Sequence, residues 1–431
     1  MNPLEFLFGL EFHGHKLGLE NIRLITDALG RPQDAWRSVS IAGTNGKGSV
    51  AAMTACALTA AGYRTGCYTS PHLVHLEERY AIDGVAATSA ELEQVVSELR
   101  DLIDRLRAGG RLRATPTFFE VATAAAFELF RRRRVDVAVL EVGLGGRLDA
   151  TTVAAPVAGA ITNIDFDHQQ YLGGTLAEIA FEKAGIIKPG MPLVCGERKS
   201  EPLEVIAAAC RERRATLIPA HDGVSASTRY VAGQATVELR TPGHDYAPVT
   251  LSLRGRHQVD NAVVAVRLLE ALGPTGTPVA ATAIERGLRE ARWPGRLDLV
   301  RVADGRTVLL DAAHNPAGAA TLAAYLGEAA PGGLPIVFGA VRDKDHAAML
   351  GCLLPHATHL VVTSPPTPRA ADIGELGRLA ARLRPELPVL VERDPSRALD
   401  LAWTFGSDIC VAGSIFLIGA ILPSLPAAPR R

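Results

Sequence analysis

Several features of specialised proteins are scarce in this chain. Its 431 residues include six cysteines, scattered without a C-x-x-C pair, which fits reduced thiols and argues against a cysteine metal site. The formal net charge of −1 gives no overall attraction to nucleic acid or to a membrane surface. No apolar run reaches the length of a membrane span, and the first residues lack the basic start of a secretory signal. We therefore expect a cytoplasmic protein that binds neither nucleic acid nor membrane.

Length and apolar content instead indicate two α/β domains. The chain exceeds one ordinary domain, and 48% hydrophobic residues are ample for a large core. Trp293-Pro-Gly-Arg296 is typical of a hinge, because a strand-rich stretch begins directly after it. We therefore place the first domain at 1–292, the hinge at 293–296 and the second domain at 297–431. Alternating strands and helices in the second domain predict a doubly wound arrangement.

One glycine-rich stretch, Gly43-Thr-Asn-Gly-Lys-Gly-Ser49, lies between a predicted strand and a predicted helix. The strand covers 38–42, and the helix covers 50–61, which is rich in alanine and free of proline and glycine. Free backbone N–H groups and the positive end of the helix dipole face such a turn, and Lys47 adds a full charge. The stretch therefore predicts a cradle for nucleotide phosphates.

The loop departs from the usual phosphate-loop pattern in two places. Ile41 stands where glycine is expected, and Gly48 stands where Ser or Thr would hold Mg²⁺. One interpretation is therefore a glycine-rich turn with a surface lysine. If the loop does bind phosphate, either Ser49 or a residue from elsewhere supplies the hydroxyl. Ser70 ends a predicted strand, where parallel sheets face their ligands, although it also fits an ordinary turn.

Two further predicted strands lead to residues that bind hard cations. The apolar run 135–140 ends in Glu141, and the strand 156–164 leads to His168. A carboxylate at the end of a buried strand suits Mg²⁺, because the cation offsets the cost of burying the charge. A structural carboxylate and a structural histidine are the alternatives. Lys183 lies in an apolar helix, and the residues alone do not decide whether it is buried or reaches solvent.

Polar residues later in the chain extend this arrangement. Asn261 lies in the first turn of a helix, where it either faces a ligand or serves as a cap. Asp311 ends an apolar strand of the second domain, and Arg296 lies at the hinge. The arginine and the aspartate suggest a second face that closes on nucleotide bound by the first domain.

These motifs jointly resemble the folylpolyglutamate synthase/dihydrofolate synthase family of the Mur ligase superfamily. The resemblance runs nearly end to end and rests on 43–49, 70–73, 141–150, 167–168, 182–185, 293–296, 311–316 and 413–414. It implies a P-loop-type central ATPase domain with a mostly parallel sheet, and a smaller C-terminal Rossmann-like α/β domain.

The resemblance also implies roles for individual residues. ATP would contact Asn45, Gly46, Lys47, Gly48, Ser49, Asn261, Arg296 and Asp311. Ser70, Glu141 and His168 would hold Mg²⁺, with two ions expected and Lys183 carbamylated to an anionic oxygen ligand. The catalytic residues would be Lys47, Lys183 and His314, and Ser414 lies in a matching motif. The pterin-bearing substrate would lie near Leu17, Gly18, Leu19, Thr117, Phe118, Phe119, Glu120, Leu148, Asp149 and Ala150. Thr152 departs from the asparagine common in the family.

The activity implied by the resemblance is ATP-dependent amide formation. ATP would convert a carboxylate of dihydropteroate or a folate to an acyl phosphate, which the amine of L-glutamate would attack. Bacterial-type members are often bifunctional, and we expect a monomer. Another amino-acid ligase of the superfamily is one alternative, although the roughly 40 residues before the loop are few for a UDP-binding domain. A nucleotide-binding regulatory module is the other, although it needs fewer metal ligands.

Overall fold

Two large, mostly parallel sheets and one small antiparallel sheet organise the computed structural model, which describes residues 2–10, 18–231 and 233–425. Leu17, predicted to bind substrate, lies outside the described residues. The two large sheets confirm the predicted α/β class. Among the helices of the described ranges, none combines the length and the apolarity that crossing a membrane requires.

The first large sheet has eight strands. They are β1 Arg37–Ala42, β2 Thr65–Tyr68, β3 Tyr80–Ile82, β4 Val85–Ala86, β5 Val137–Glu141, β6 Ala158–Ile161, β7 Pro192–Cys195 and β8 Thr216–Pro219. Their order across the sheet is β4-β3-β2-β5-β1-β6-β7-β8. Pairing is parallel from β2 to β8, and β3 and β4 add an antiparallel edge. The sequence had indicated no strands at β3 and β4.

Both faces of this sheet are covered, as the central strand β5 demonstrates. All five of its residues are buried. Ala138 and Leu140 pack into one apolar cluster, whereas Val137 and Val139 pack into another on the opposite face. A continuous apolar run is what a parallel strand buried on both faces requires. Glu141, the last residue of the run, is therefore carried by the most buried part of the domain.

Ten described helices accompany the first sheet. They are α1 Pro3–Gly9, α2 Glu20–Ala28, α3 Lys47–Ala60, α4 Ser89–Ala108, α5 Phe118–Arg132, α6 Gln169–Leu172, α7 Leu176–Ala184, α8 Ser200–Glu212, α9 His257–Leu272 and α10 Ala281–Glu290. Helix α3 packs against α9 and α10, and α5 is buried almost throughout. Helix α3 begins at Lys47, three residues before the predicted start, because the glycine-rich turn itself passes into the helix.

A small antiparallel sheet follows β8. It contains β9 Ser225–Val231, β10 Gln234–Arg240 and β11 Val249–Thr250 in the order β11-β10-β9. Val231 pairs with Gln234 across a hairpin. Gly233 has φ +75°, a backbone conformation that glycine adopts without steric cost and that reverses the chain here.

The second large sheet has six strands, and its own helices cover it. The strands are β12 Asp298–Arg301, β13 Thr307–Asp311, β14 Leu334–Phe338, β15 Ala357–Val362, β16 Val389–Val391 and β17 Asp408–Ala412, in the order β12-β13-β17-β14-β15-β16. Only β12 is antiparallel to its neighbour. The helices are α11 Pro316–Ala329, α12 His346–Leu353, α13 Ile373–Leu383, α14 Pro395–Trp403 and α15 Ile415–Ile421. This sheet begins directly after the predicted hinge.

Candidate active site

The carboxyl ends of four neighbouring strands bring the predicted site residues of the first domain together. In the parallel register Ile41 lies beside Glu141, and Ala42 lies beside Ile161. The glycine-rich loop leaves β1 at this edge, Ser70 follows β2, and the segment with His168 follows β6. Strand ends at one edge of a parallel sheet form the usual ligand crevice of such folds.

The glycine-rich loop is held rigidly by the segment that follows β6. The backbone N–H of Asn45 donates to Asn163 Oδ1 at 2.9 Å, and the Thr162 hydroxyl donates to the Asn45 carbonyl at 2.6 Å. Gly46 has φ +85° and begins α3 without any side-chain cap. The uncapped N–H groups at the start of α3 therefore remain available to an anion, with the helix dipole behind them.

Two glycines of the loop lie against side chains that leave no room for a Cβ. A Cβ on Gly46 would lie 2.4 Å from Asn261 Oδ1, and one on Gly48 would lie 2.3 Å from the Trp293 ring. The second contact gives a physical reason for the departure from the usual loop pattern. Trp293 occupies the space that a Ser or Thr side chain at position 48 would need.

Two lysines converge on one carbonyl oxygen of the loop. Lys47 Nζ donates to the carbonyls of Gly43 and Thr44, both at 3.1 Å, and Lys183 Nζ donates to the carbonyl of Gly43 at 2.8 Å. Lys183 is 5% exposed, so the lysine that the sequence left undecided is buried. Within the described ranges neither lysine forms an ion pair with a carboxylate. The site therefore concentrates positive charge that a phosphate would neutralise.

Burial changes the protonation of both lysines. It lowers the pKa of Lys47, while the Glu141 carboxylate opposes that shift. Burial, assisted by the charge of Lys47, lowers the pKa of Lys183 to about 7. A substantial fraction of Lys183 is therefore neutral near pH 7. A neutral amine is the form that reacts with CO₂, so the site permits carbamylation.

Glu141, Ser70 and His168 present donor groups that suit a divalent cation. Glu141 is 5% exposed, and the backbone N–H of Ser70 donates to Glu141 Oε2 at 3.2 Å. Burial raises the pKa of Glu141, and the charge of Lys47 lowers it. Burial also lowers the pKa of His168 to about 4, which leaves a neutral imidazole with a free lone pair. Glu141, His168 and Lys183 all interact electrostatically with Lys47.

These donors fit Mg²⁺ only as a mixed set. Among the described residues, no group of three or more His, Cys, Asp or Glu is placed to hold a metal ion. A site here therefore needs oxygen from Ser70 or from a carbamylated Lys183 in addition to Glu141 and His168. The Ser49 hydroxyl, the other candidate, is buried and accepts a hydrogen bond from Gln258 Nε2 at 3.2 Å. Ser70 stays the better prediction for the missing hydroxyl.

The other predicted nucleotide contacts are Arg296 of the hinge, Asp311 of the second domain and Asn261 of the first. Arg296 Nη1 donates to the Ala312 carbonyl at 3.1 Å. The two oxygens of Asp311 accept from the backbone N–H groups of Leu297 and Ala313, at 2.8 and 2.9 Å. Asp311 therefore joins the residue that follows Arg296 to the loop that follows β13. Asn261, in α9, donates to Gln258 Oε1 at 2.9 Å.

A cavity of about 580 Å³ extends from this edge between the two domains. Its lining includes Ser70, Glu141, Arg296 and Trp293, and it continues along α3 past Ala55. None of the described residues predicted to bind the pterin-bearing substrate lines it. The cavity and the predicted substrate surface are therefore different places.

Two family models match the chain, the Mur ligase middle domain over 41–269 and the glutamate ligase domain of Mur ligases over 295–414. A Bacillus subtilis protein named dihydrofolate synthase/folylpolyglutamate synthase is 35% identical over 80% of this chain and 81% of its own length. The chain belongs to the folylpolyglutamate synthase/dihydrofolate synthase family. The predicted family and the two-domain fold class are thereby confirmed.

Family members differ in length. A Haloferax volcanii relative, named a probable bifunctional folylpolyglutamate synthase/dihydropteroate synthase, is 38% identical over 88% of this chain but only 45% of its own length. The chain thus spans about half of that relative. A solved Mycobacterium tuberculosis folylpolyglutamate synthase, complexed with ADP and AMPPCP, is 33% identical with a TM-score of 0.92, covering 100% of this chain and 99% of its own.

The substrate residues expected from the family form one surface beyond the glycines that follow Glu141. Thr117 and Glu120 form a capping box at the start of α5, and Asn21 Nδ2 donates to Glu120 at 3.4 Å. Phe119 and Asp149 both lie against Gly143. The remaining described members are Gly18, Leu19, Phe118, Leu148 and Ala150. Leu19, Phe118 and Ala150 pack into one apolar cluster, and the role of the whole set in binding stays a prediction.

Asp149 has a definite structural task on that surface. Its Oδ2 accepts from the backbone N–H groups of Gly143 and Leu144 at 3.0 and 2.9 Å. Its Oδ1 accepts from the backbone N–H and the hydroxyl of Thr151 at 3.0 and 2.6 Å. Both oxygens are occupied, so Asp149 shapes the loop after Glu141 and does not present a free carboxylate.

Sequence reasoning missed one functional candidate of this family member, Lys344. Its Nζ lies 2.6 Å from Asp167 Oδ1. His314, predicted to be catalytic, has Nε2 3.5 Å from Asp167 Oδ2. The sequence did contain one signal for Lys344, which is its position soon after a strand. The charged run Arg342-Asp-Lys-Asp345 follows β14, just as the polar residues from Asp311 onward follow β13.

Proposed function

We propose that this chain is an ATP-dependent ligase that joins L-glutamate to a carboxylate of dihydropteroate or a folate. The observation that carries the proposal is the meeting of Lys47, Lys183 and Glu141 at an uncapped helix start, with Arg296 of the hinge in the lining of the adjoining cavity. Relatives support the substrate class. A solved bifunctional folylpolyglutamate synthase/dihydrofolate synthase carries Mn, AMPPNP and L-glutamate, and an Escherichia coli relative carries DHPP and ADP.

The chain's own groups suit the first half of the reaction. A carboxylate is a poor electrophile, so the γ-phosphoryl group of ATP is transferred to it and ADP leaves. Catalysis of that transfer consists mainly of positioning and charge neutralisation. The N–H groups at the start of α3, Lys47 and Arg296 supply both. Ser70, Glu141, His168 and carbamylated Lys183 would hold Mg²⁺, which would supply further neutralisation of phosphate charge.

The second half needs protection from water. The amine of L-glutamate attacks the acyl carbon and loses a proton, phosphate departs with the former carboxylate oxygen that bridged carbon and phosphorus, and an amide remains. Water competes for the same carbon, so the two domains must meet over the phosphate loop before the acyl phosphate forms. Asn315 of the second domain supports this role, because it contacts Asn45 of the loop at 3.2 Å.

The acceptor substrate has two candidate locations. The predicted one is the surface formed by 18–19, 117–120 and 148–150, where the part-exposed Phe119 offers an aromatic ring to a pterin. The cavity is the other, and Ser70 and Glu141 in its lining would place an acceptor carboxylate near the phosphate. We keep the predicted surface for the pterin, because it joins the phosphate loop through the turn after Glu141.

Replacing Lys47 tests the proposal. Lys47→Ala should lower the rate of ADP release that depends on L-glutamate by roughly 10³-fold, because a charge aimed at the transferring phosphoryl group is lost. Dihydropteroate and tetrahydrofolate, assayed side by side, identify the acceptor. Arg31→Ala is the control, because it removes an exposed cation that pairs with Asp27 and Asp34 on the surface.

Undiminished turnover in folded Lys47→Ala protein would refute the ligase. Nucleotide binding without any substrate-dependent release of ADP from the unaltered protein would instead favour the regulatory module. Dependence on a different carboxylate would favour another amino-acid ligase of the superfamily.

A further inference from the structure

One carboxylate of the first domain gathers several groups of the second. Asp167 follows β6, and its Oδ1 lies 2.6 Å from Lys344 Nζ. Its Oδ2 accepts from Asn315 Nδ2 at 3.2 Å and lies 3.5 Å from His314 Nε2. Lys344 follows β14, whereas His314 and Asn315 follow β13. Three residues from two strand ends of the second domain thus meet a single side chain of the first.

Burial distinguishes this contact from another ion pair between the domains. The side chains of Asp167 and Lys344 are both 9% exposed. Arg256 and Glu328 also pair across the domains, but they are 62% and 45% exposed. Exposed pairs contribute little, because solvent screens them and the long side chains lose entropy. Breaking a buried pair by removing one partner is far more disruptive, because a charge is left without compensation.

The contact is also tied to the phosphate loop. Asn315 Nδ2 donates both to Asp167 and to Asn45 Oδ1, each at 3.2 Å. Asn315 Oδ1 accepts from the backbone N–H of Gly318 at 2.8 Å and so caps α11. The start of α11 is therefore fixed over the loop by the same amide that touches Asp167.

Both carboxylate oxygens of Asp167 have partners. Its Oδ1 accepts from its neighbour's backbone N–H, that of His168, at 2.9 Å in addition to Lys344. Its Oδ2 faces Asn315 and His314. A carboxylate with both oxygens engaged across the domain boundary suits a structural tie better than it suits a ligand to a cation.

We propose that Asp167 is a positioning residue that holds the second domain closed over the phosphate loop through Lys344 and Asn315. With this tie in place, Arg296 faces the phosphates and the acyl phosphate is shielded. The kinetic part of the inference rests on the proposed ligase function. The conformational part does not, because closure is measurable without any substrate.

Three variants of the full chain test it: Asp167→Asn, Lys344→Met and the two combined. Closure is measured as the radius of gyration by small-angle X-ray scattering, with and without Mg²⁺ and AMPPNP. Each single variant should be more expanded than the unaltered protein and should lose at least 10-fold in kcat, while the Kd of AMPPNP changes by less than 3-fold. The double variant should lose no more than the worse single variant, because both changes break one contact.

Controls separate a local tie from general damage. Glu328→Gln breaks the exposed pair between the same domains and should change neither the radius nor kcat by a measurable amount. Lys344→Arg keeps the charge and should recover part of the kcat that Lys344→Met loses. Thermal unfolding of each variant confirms that both domains remain folded, and circular dichroism checks their secondary structure.

Four outcomes would overturn the inference. They are an unchanged radius in both single variants, losses that multiply in the double variant, a loss in Lys344→Met that Asp167→Asn does not share, and a weakening of AMPPNP binding as large as the loss of kcat. The third would mean that Lys344 acts on a substrate. The fourth would mean that Asp167 acts through the predicted metal site. If the unaltered protein is closed and shows no ligase activity, the proposed function fails while the tie stands.

Discussion

The strand ends of the two large sheets carry similar polar residues in opposite states. At the first sheet, Lys47 and Lys183 donate only to backbone carbonyls, and the Glu141 carboxylate receives one backbone N–H. At the second sheet, both oxygens of Asp311 are occupied by backbone N–H groups, and Asn315 caps its own helix. The charged side chains of the first region therefore have few hydrogen-bond partners, whereas the polar side chains of the second region have theirs within their own domain.

This difference assigns the two regions different tasks. Buried charge without a partner costs stability, so it persists where a ligand completes it. The first region is accordingly the one that a phosphate and a cation would complete. The second region is a scaffold whose polar groups are already hydrogen-bonded. It positions Arg296 beside the cavity and contacts Asp167 of the first domain.

Among changes at Lys183, Gly48 and Asp311, removing Lys183 should have the largest effect on activity. Lys183→Met deletes the amine that would carry the carbamate, so we expect turnover to fall by about 10²-fold or more, as when one charge-stabilising group is lost. Lys188→Met is the matched control, because that lysine is part-buried and, like Lys183, donates to one carbonyl, that of Thr152, at 2.8 Å. Equal losses in the two variants would contradict a special role for Lys183, and rescue of Lys183→Met by short carboxylic acids would support it.

The free energy of unfolding should depend on pH differently in the unaltered protein and in Lys183→Met. In CO₂-free buffer the folded pKa of Lys183 is about 7, below the unfolded value near 10.4. Between these values the unfolded chain binds more protons, so the free energy of unfolding should rise with pH by at most about 1.4 kcal/mol per unit from this group. Denaturant titrations from pH 7 to 10 should find that rise in the unaltered protein and a smaller one in Lys183→Met.

The packing of Gly48 offers a second test of the first region. Gly48→Ala places a methyl group where the Trp293 ring lies, so the ring or the loop must move, at a cost of about 1–3 kcal/mol. We expect nucleotide affinity to fall roughly 10-fold, which corresponds to about 1.4 kcal/mol. Isothermal titration with AMPPNP measures the change, and Gly109→Ala, at an exposed helix end, is the control.

Combining Gly48→Ala with Trp293→Ala decides whether the clash is the cause. The smaller side chain frees the space that the new methyl group needs, so the double variant should bind AMPPNP better than the product of the two single losses predicts. Strict additivity would mean that the glycine matters for the backbone and not for the tryptophan.

Much of this arrangement followed from the sequence where local patterns were strong. The apolar run ending in Glu141 predicted a buried strand, and the glycine-rich stretch before an alanine-rich segment predicted the turn and α3. Both signals are local, because the strand and the helix start are each encoded in about ten residues. Neither pattern indicated that Trp293, from the hinge, would fill the space above Gly48.

The signals that failed were non-local or short. Strands β3 and β4 are brief, and both residues of β4 are exposed at the edge of the sheet, with no apolar run to mark the strand. The tie between Asp167 and Lys344 joins residues 177 positions apart, and a run of four charged residues after a strand looks like any solvated turn. The burial of Lys183 could not be predicted for the same reason. Its hydrogen bond to the carbonyl of Gly43 joins residues that are far apart in the sequence.

Asp311 is where the comparison is sharpest and the expected effect on nucleotide is smallest. The family resemblance predicts that Asp311 contacts ATP, yet its oxygens already accept from Leu297 and Ala313. In Asp311→Asn the new amide must face one of these backbone donors, so that N–H loses its partner and the free energy of unfolding should fall by about 1–3 kcal/mol. AMPPNP affinity should change by less than 3-fold. Asp304→Asn, at an exposed pair with Arg306, is the control and should alter neither quantity. A loss of 10-fold or more in affinity with unchanged stability would mean that Asp311 reaches the nucleotide, and the second region would then be a binding surface as incomplete as the first.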